Sequence, residues 1–221
     1  MSDRHLPMTA MCMIAMIAFC GCRNRQHAHV LADSDQDIVG SHEAGAETWK
    51  PLIQESVAKM LGRAHSDIHT VSYVSGEGIP VRKVCFVGIE NKSAEAIGDF
   101  REQIYELVDS EVGQSKLFRM ISRRYVEAAM GECRCDPASL VLPARQAQLQ
   151  AALERVDQPF DFLLFAQITS GTTRSNKSYQ RDYLLTLELL DIHSGESIKE
   201  SAELRKGYHK SKFGERKLYG R

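Results

Sequence analysis

Aromatic residues are few in this chain, and its net charge is close to zero. Phe, Trp and Tyr make up 7% of the 221 residues, Trp occurs once, and 28 Lys and Arg stand against 29 Asp and Glu. Stacking on single-stranded nucleic acid needs aromatic side chains, and binding to a duplex needs a basic face. The composition therefore predicts that nucleic acid is not a partner of this protein.

Motifs for nucleotide binding and for serine hydrolase chemistry are absent. The sequence holds no G-x-G-x-x-G, no G-x-x-x-x-G-K and no G-x-S-x-G, and Gly76 and Gly78 lead into Pro80 and a strand. Asp, His and Ser occur together at residues 191–194, but neighbours on a tight turn cannot stack as nucleophile, base and orienting acid. We predict that the protein is not an enzyme and has no cofactor.

Histidines and acidic residues are scattered along the chain. His65 and His69 have i, i+4 spacing, but a zinc site would need a third ligand. Glu102, Glu106 and Glu111 fall on the polar side of a predicted helix, where solvated carboxylates are normal. We therefore expect no metal site and no catalytic pair of carboxylates.

The chain has one long apolar run, twelve residues from Met8 to Phe19. A transmembrane helix needs about 20 apolar residues, so this run fits the core of a secretory signal better. Gly21 and Cys22, shortly after this run, resemble the end of a bacterial lipobox in which Cys22 is acylated and becomes the new N-terminus. A plain signal peptide or an uncleaved anchor is the alternative.

Lipidation at Cys22 sets the expected layout of the chain. Residues 1–21 form the signal peptide, 22–48 the lipidated Cys with a polar tether, 49–210 a folded α/β domain, and 211–221 a basic tail. Two or three acyl chains, palmitate among them, would hold the protein stably on a membrane. We expect an outer-membrane location that faces the periplasm.

The C-terminal stretch from Arg205 onwards is basic, with seven Lys or Arg against one Glu. Such a stretch can contact anionic lipid, glycan phosphate or an acidic partner, or it can be a solvated tail after the last strand. The sequence alone leaves these alternatives open.

Three cysteines remain in the mature chain after Cys22. An odd number excludes a complete disulfide framework. Cys85 lies within the apolar "VCFVGI" and is expected to be a small buried hydrophobic residue. Cys133 and Cys135 form a lone C-x-C: either a metal or redox pair, or part of a loop in which the two thiols face solvent or pair with each other.

Hydrophobic periodicity predicts the helices and strands of the domain. Apolar residues at helical spacing predict four helices, within residues 49–64, 93–118, 124–132 and 144–156. Strands are predicted at 84–91, 117–123 and 160–171, and on both sides of a turn at 193–196. The last three strands should form an antiparallel meander, and residues 84–91, apolar on both faces, a central strand. These elements predict an α/β (α+β) domain.

Several of these segments carry a family resemblance. The strand ending in "GIENKS", the helix after it, the short "S-x-x-F" strand and the "DIHSGE" hairpin resemble the LpoB-type activator lipoproteins of penicillin-binding proteins. CsgG-like and TolB N-terminal-like α/β domains are broader relatives. The resemblance spans most of residues 49–210. It implies a sheet of about four mainly antiparallel strands packed with helices, with a C-terminal β-meander.

The resemblance also implies a function. LpoB-type proteins are lipoproteins of the outer membrane that bind a class A penicillin-binding protein, a bifunctional peptidoglycan synthase, and stimulate cell-wall synthesis. No motif marks the residues of the partner interface. The alternative is a structural or assembly lipoprotein of the same fold, in secretion or envelope organisation, that self-associates.

Overall fold

The computed structural model describes residues 44–75, 81–175 and 178–209. They belong to one compact unit, Asp37–Arg221. The predicted lipidation site at Cys22 and the basic tail at 211–221 lie outside the described residues. No helix in the described part combines the length and apolar character needed to cross a membrane.

Helices and strands alternate in the first half of the domain, and strands follow one another in the second. The helices are α1 (Ala46–Ser75), α2 (Phe100–Gln114), α3 (Arg123–Cys133) and α4 (Pro143–Glu154), with a 3₁₀-helix at Pro137–Val141. The strands are β1 (Arg82–Lys92), β2 (Phe118–Met120), β3 (Phe162–Ser175), β4 (Ser178–Asp191) and β5 (Ser197–His209).

The five strands form one mixed sheet in the order β2-β1-β3-β4-β5. β1 pairs in parallel with β2 and β3, because helical crossovers return the chain in the same direction. β3, β4 and β5 pair antiparallel, which confirms the predicted meander. The expectation of about four mainly antiparallel strands is wrong: the sheet has five strands, including the short edge strand within the predicted 117–123, and both neighbours of β1 are parallel to it. The α+β class is confirmed.

Helix α1 is longer than its sequence pattern predicted. It continues past residue 64 to Ser75. Gly62, which resembled a helix end, lies within the helix with open space beside it. A helical Gly costs only about 1 kcal/mol relative to Ala, which the packing of the helix offsets. The stronger breakers, Gly76 and Pro80, follow the helix in the sequence.

A hydrophobic core lies on each face of the sheet. Helices α1 and α2 cover one face, where β4 buries its predicted apolar row, Tyr183, Leu185, Leu187 and Leu189. The 3₁₀-helix, α3 and α4 pack over the other face, against Cys85, Val87 and Leu163. Burial of one such large apolar side chain stabilises the fold by about 1.5–3 kcal/mol. β1 is therefore covered on both sides, as its sequence predicted.

The "NKS" segment after β1 forms a tight turn through its own side chains. Asn91 Oδ1 accepts the Ser93 N–H at 2.9 Å, and Asn91 Nδ2 donates to the Glu95 carbonyl at 2.7 Å. The Glu95 carboxylate then accepts a hydrogen bond from the Tyr183 hydroxyl at 2.8 Å and pairs with Arg181. This motif therefore ties the end of β1 to β4, a structural role.

Candidate functional site

A groove lies on the second face of the sheet, beyond the area that α3 and α4 cover. It has a volume of about 540 Å³. It runs between the 3₁₀-helix and the part of the sheet formed by β1, the start of β3, the end of β4 and the start of β5. Its apolar lining comes from Val87, Pro137, Ala138, Val141, Phe165 and Leu190. Binding pockets are typically concave and largely apolar, with a few polar groups. We call this feature the open-face groove.

The 3₁₀-helix forms one wall of the open-face groove. The Ser139 hydroxyl donates to the Asp136 carbonyl at 2.7 Å and accepts the Asp136 N–H at 3.2 Å, which fixes the start of the helix. Leu140 is fully buried and anchors the wall to the core. The next two side chains, Val141 and Leu142, are 67% and 56% exposed. The wall therefore presents apolar side chains to solvent.

A β-bulge brings this wall close to the sheet. The pairing of β1 with β3 shifts register between Phe86 and Gly88. A Cβ atom at Gly88 would lie only 3.1 Å from Pro137 Cγ, so Gly at this position lets the proline ring sit directly on the strand. The shape of the groove thus depends on the bulge in β1.

The polar groups on the floor of the groove mostly bond to one another. The hydroxyls of Thr186 and Ser201 are 2.8 Å apart, and Lys199 Nζ lies 3.4 Å from Glu188 Oε2. Gln167 Nε2 donates to Glu90 Oε2 at 3.4 Å. Charged groups on the floor, Lys199, Glu188 and Glu90, thus already have partners within the groove. The apolar wall is then the part best suited to hold a partner.

A disulfide between Cys133 and Cys135 lies immediately before the wall. This pairing is one of the alternatives that the sequence left open. Arg134, between the two cysteines, adopts a left-handed conformation with φ of 49°, and the Cys135 N–H donates to the Met130 carbonyl at 3.0 Å. The backbone hydrogen bond ends α3 independently of the sulfur atoms.

Replacement of both cysteines by serine should lower the free energy of unfolding by no more than about 1.5 kcal/mol. The chain-entropy contribution of a disulfide grows with the length of the loop it closes, and a loop of this size gives about that much. Urea unfolding of the oxidised protein and of the double variant measures the difference. A loss of unfolding free energy above about 3 kcal/mol would show that the disulfide stabilises the fold by more than the loop-entropy effect.

A second polar cluster joins α2 to α3. The Arg123 guanidinium binds Glu102 and Glu127 and lies 3.9 Å from the centroid of the Tyr105 ring. The hydrogen bond from Arg123 lowers the pKa of Glu102, and these partners raise the pKa of Arg123 itself. Every group in the cluster has a partner of opposite charge or an aromatic face. The cluster therefore links α2 to α3, which is a structural role.

The Asp-His-Ser sequence at residues 191–194 forms a turn, as predicted. Asp191 Oδ1 accepts the N–H groups of His193 and Ser194 at 2.7 and 3.1 Å, and Gly195 takes a φ of 76°. The carboxylate therefore orders its own backbone and does not orient the histidine ring toward the serine. Such an Asx turn is a common way to close a hairpin.

His65, His69 and Cys85 are the remaining candidates from the sequence. His65 is an exposed residue of α1, and the side chain of His69 lies outside the described residues. Cys85 is buried, as predicted, and burial raises the pKa of its thiol to about 12. Within residues 44–66, 81–174 and 179–208, no three His, Cys, Asp or Glu side chains come together as metal ligands could.

The open-face groove was not predicted from the sequence. Val141 fell between the predicted helices at 124–132 and 144–156, and Phe165 fell in an apolar strand with no sign of partial exposure. One signal was present: three consecutive apolar residues, Leu140 to Leu142, in an otherwise polar loop. Only one of them is needed as an anchor to the core, which leaves two for the surface.

The fold and the groove define the chain as an α+β domain with a mixed five-stranded sheet and a concave, partly apolar surface on one face. No protein-family model and no curated protein matches the sequence. The structure has a distant likeness to several solved bacterial proteins.

Two of these are LpoB C-terminal domains. The domain from Salmonella enterica has a TM-score of 0.45 and 13% sequence identity, over 71% of this chain and 97% of that one. The domain from Escherichia coli has a TM-score of 0.44 and 16% identity, over 70% and 97%. A lipoprotein from Neisseria meningitidis has a TM-score of 0.41 and 17% identity, over 58% and 84%.

Proposed function

We propose that this protein is a lipid-anchored, non-enzymatic activator that binds a class A penicillin-binding protein and stimulates its synthesis of peptidoglycan. The sequence supports the proposal through the lipobox at Cys22 and through the LpoB-type motifs of residues 80–123 and the 191–196 hairpin. The structure adds a candidate surface for the partner, the open-face groove.

The observation that carries the proposal is the position of the groove relative to the point where the chain enters the domain. The Ala44 N–H donates to Glu95, whose carboxylate pairs with Arg181 of β4. Glu188 of β4 lines the groove. It is seven residues beyond Arg181, which corresponds to about 24 Å along the strand. In a chain held through its N-terminal segment, the groove then lies at the end of the sheet away from the tether.

The test adds the mature chain without its lipid, residues 23–221, to a class A penicillin-binding protein from the same organism. Glycan polymerisation is followed over time at increasing concentrations of the activator. We expect a rate increase that saturates, because a specific binding site fills. A folded protein, judged by circular dichroism, that neither binds the synthase nor changes its rate would contradict the proposal.

A second candidate function is that of an assembly lipoprotein that self-associates. The observation in its favour is the long outer edge of β5, a strand of 13 residues at the end of the sheet. Unpaired strand edges can add a strand from another chain. Light scattering of the detergent-solubilised lipoprotein distinguishes the two functions: ring-sized particles favour assembly, whereas a monomer favours the activator.

A further inference from the structure

The disulfide between Cys133 and Cys135 has no part in the function proposed above, and its surroundings suit a reactive bond. Cys133 is partly buried, whereas only 8% of Cys135 is exposed. The residues that flank and separate the two cysteines, Glu132, Arg134 and Asp136, are exposed. A thiolate of another molecule therefore reaches the Cys133 sulfur more easily than the Cys135 sulfur.

The backbone around the pair is held without the sulfur atoms. The Cys135 N–H donates to the Met130 carbonyl at 3.0 Å. The Arg134 N–H donates to the Gly131 carbonyl at 3.4 Å. These bonds do not involve sulfur, so they end α3 in the oxidised and in the reduced form. Reduction of the disulfide therefore leaves the fold in place, which reversible chemistry at this position requires.

Folding protects this disulfide only weakly against reduction. A disulfide stabilises the fold by the same free energy with which folding stabilises the disulfide. The two cysteines are separated by 2 in the sequence, and for so short a loop the chain-entropy model limits this coupling to about fifteenfold in the equilibrium constant of the bond. In an unfolded chain the bond is unfavourable as well, because short loops are stiff. The pair is therefore readily reduced.

The disulfide also lies next to a surface suited to a polypeptide. Asp136 and Pro137, which directly follow Cys135, line the open-face groove. A polypeptide segment bound in the groove brings its own side chains next to the disulfide. This position favours a polypeptide with two cysteines over a small thiol as the partner in exchange.

We propose that Cys133 and Cys135 form a thiol–disulfide exchange site that oxidises dithiols of other polypeptides. A thiolate of the partner attacks the Cys133 sulfur and forms a mixed disulfide, while Cys135 leaves as a thiolate and takes up a proton. The second thiolate of the partner then attacks the partner sulfur of the mixed disulfide and releases Cys133. The partner loses two electrons and two protons, and the Cys133–Cys135 disulfide gains them, so no further oxidant enters. The exchange depends neither on synthase binding nor on the lipid anchor.

The first experiment measures how strongly the fold protects the disulfide. The chain from residue 22 onwards, with Cys22→Ser, is equilibrated in buffers of reduced and oxidised glutathione, with and without concentrated urea. Free thiols are alkylated, and mass spectrometry of the segment with both cysteines gives the oxidised fraction. We expect the equilibrium constants of the native and unfolded protein to differ by about fifteenfold or less. A larger difference would identify a structural bond and overturn the proposal.

The second experiment follows the exchange itself. The oxidised protein is mixed with one equivalent of a reduced peptide that has two cysteines on either side of a flexible segment. We expect the peptide disulfide to form at the same rate as the protein disulfide is lost. The control, Cys133→Ser with Cys135→Ser, should leave the peptide reduced. A peptide that stays reduced with the oxidised protein, or that is oxidised equally fast with the control, would overturn the proposal.

Single variants identify the sulfur that reacts. Cys135→Ser leaves only the Cys133 thiol of the pair, and Cys133→Ser leaves only the Cys135 thiol. With the oxidised form of the peptide, Cys135→Ser should form a mixed disulfide at least about tenfold faster than Cys133→Ser, because the Cys133 sulfur is more accessible. Circular dichroism checks that both variants are folded. Equal rates, or no mixed disulfide with either variant, would contradict the assignment of Cys133 as the attacked sulfur.

Discussion

Under the proposed function, Val141→Glu is expected to raise by at least about tenfold the concentration of this protein needed for half-maximal stimulation of a class A penicillin-binding protein. The side chain is 67% exposed on the wall of the open-face groove, so the change costs the fold little. In a complex it would bury a carboxylate without a partner at the apolar wall, which is strongly unfavourable. The measurement is the activator concentration that gives the half-maximal rate of glycan polymerisation.

The matched control is Val156→Glu. Val156 is also an exposed valine, 47% accessible, but it lies beyond the end of α4 and does not line the groove. It should leave both the maximal rate and the half-maximal concentration unchanged. If the two variants stimulate the synthase equally well while both remain folded, the groove is not the binding surface. If both fail, the partner contacts a broader area of this face.

Lys206→Met is expected to lower the free energy of unfolding by about 3 kcal/mol at neutral pH. Lys206 and Glu47 form an ion pair of 2.8 Å in which only 7% and 14% of the two side chains are exposed. Methionine can fill the space of the lysine stem, but it leaves the Glu47 carboxylate in a largely buried place without its cation. Urea unfolding measures the change.

The neutral double variant separates charge from packing. Glu47→Gln together with Lys206→Met removes both charges, so no buried charge is left without a partner, and most of the lost stability should return. If the double variant is as unstable as Lys206→Met alone, the loss comes from packing around the lysine stem, and the ion pair is not its cause.

The stabilisation that the Glu47–Lys206 pair gives the fold should decrease at low pH. Burial alone would raise the pKa of Glu47, but the hydrogen bond from Lys206, bonds from backbone N–H groups and the lysine charge together hold this pKa below its ordinary value. A lowered carboxyl pKa stabilises the fold above the unfolded pKa of about 4.3, and this contribution is lost as the pH falls through the folded pKa. The stability gap between the wild-type protein and Lys206→Met should therefore narrow below about pH 4.3.

Local periodicity predicted most of the secondary structure. The spacing of apolar residues placed all four helices and the C-terminal meander, because each pattern reports which side of one element is buried. It placed the end of α1 too early, since Gly62 alone does not outweigh the packing of the helix. Periodicity did not predict the parallel pairing of β1 with β2 and β3, because that pairing depends on how the helices between these strands cross over the sheet.

The open-face groove could not be predicted from local periodicity. Its wall comes from a 3₁₀-helix and its floor from four strands, and the wall and floor meet because Gly88, at a bulge in β1, leaves room for the Pro137 ring. Each of these segments follows a normal local pattern. Exposure of Val141 is a property of how they pack, and periodicity within a single element does not report it.

The sequence by itself determined the element types, the meander, the buried state of Cys85 and the turn at residues 191–194, because these depend on neighbours along the chain. Tertiary structure decided which charges are solvated. Lys206 belonged to a basic stretch and resembled its neighbours, yet it is buried because Glu47, 159 residues away, lies opposite it. A charge can leave water only where folding supplies a partner, and that partner is set by the packing of α1 on β5.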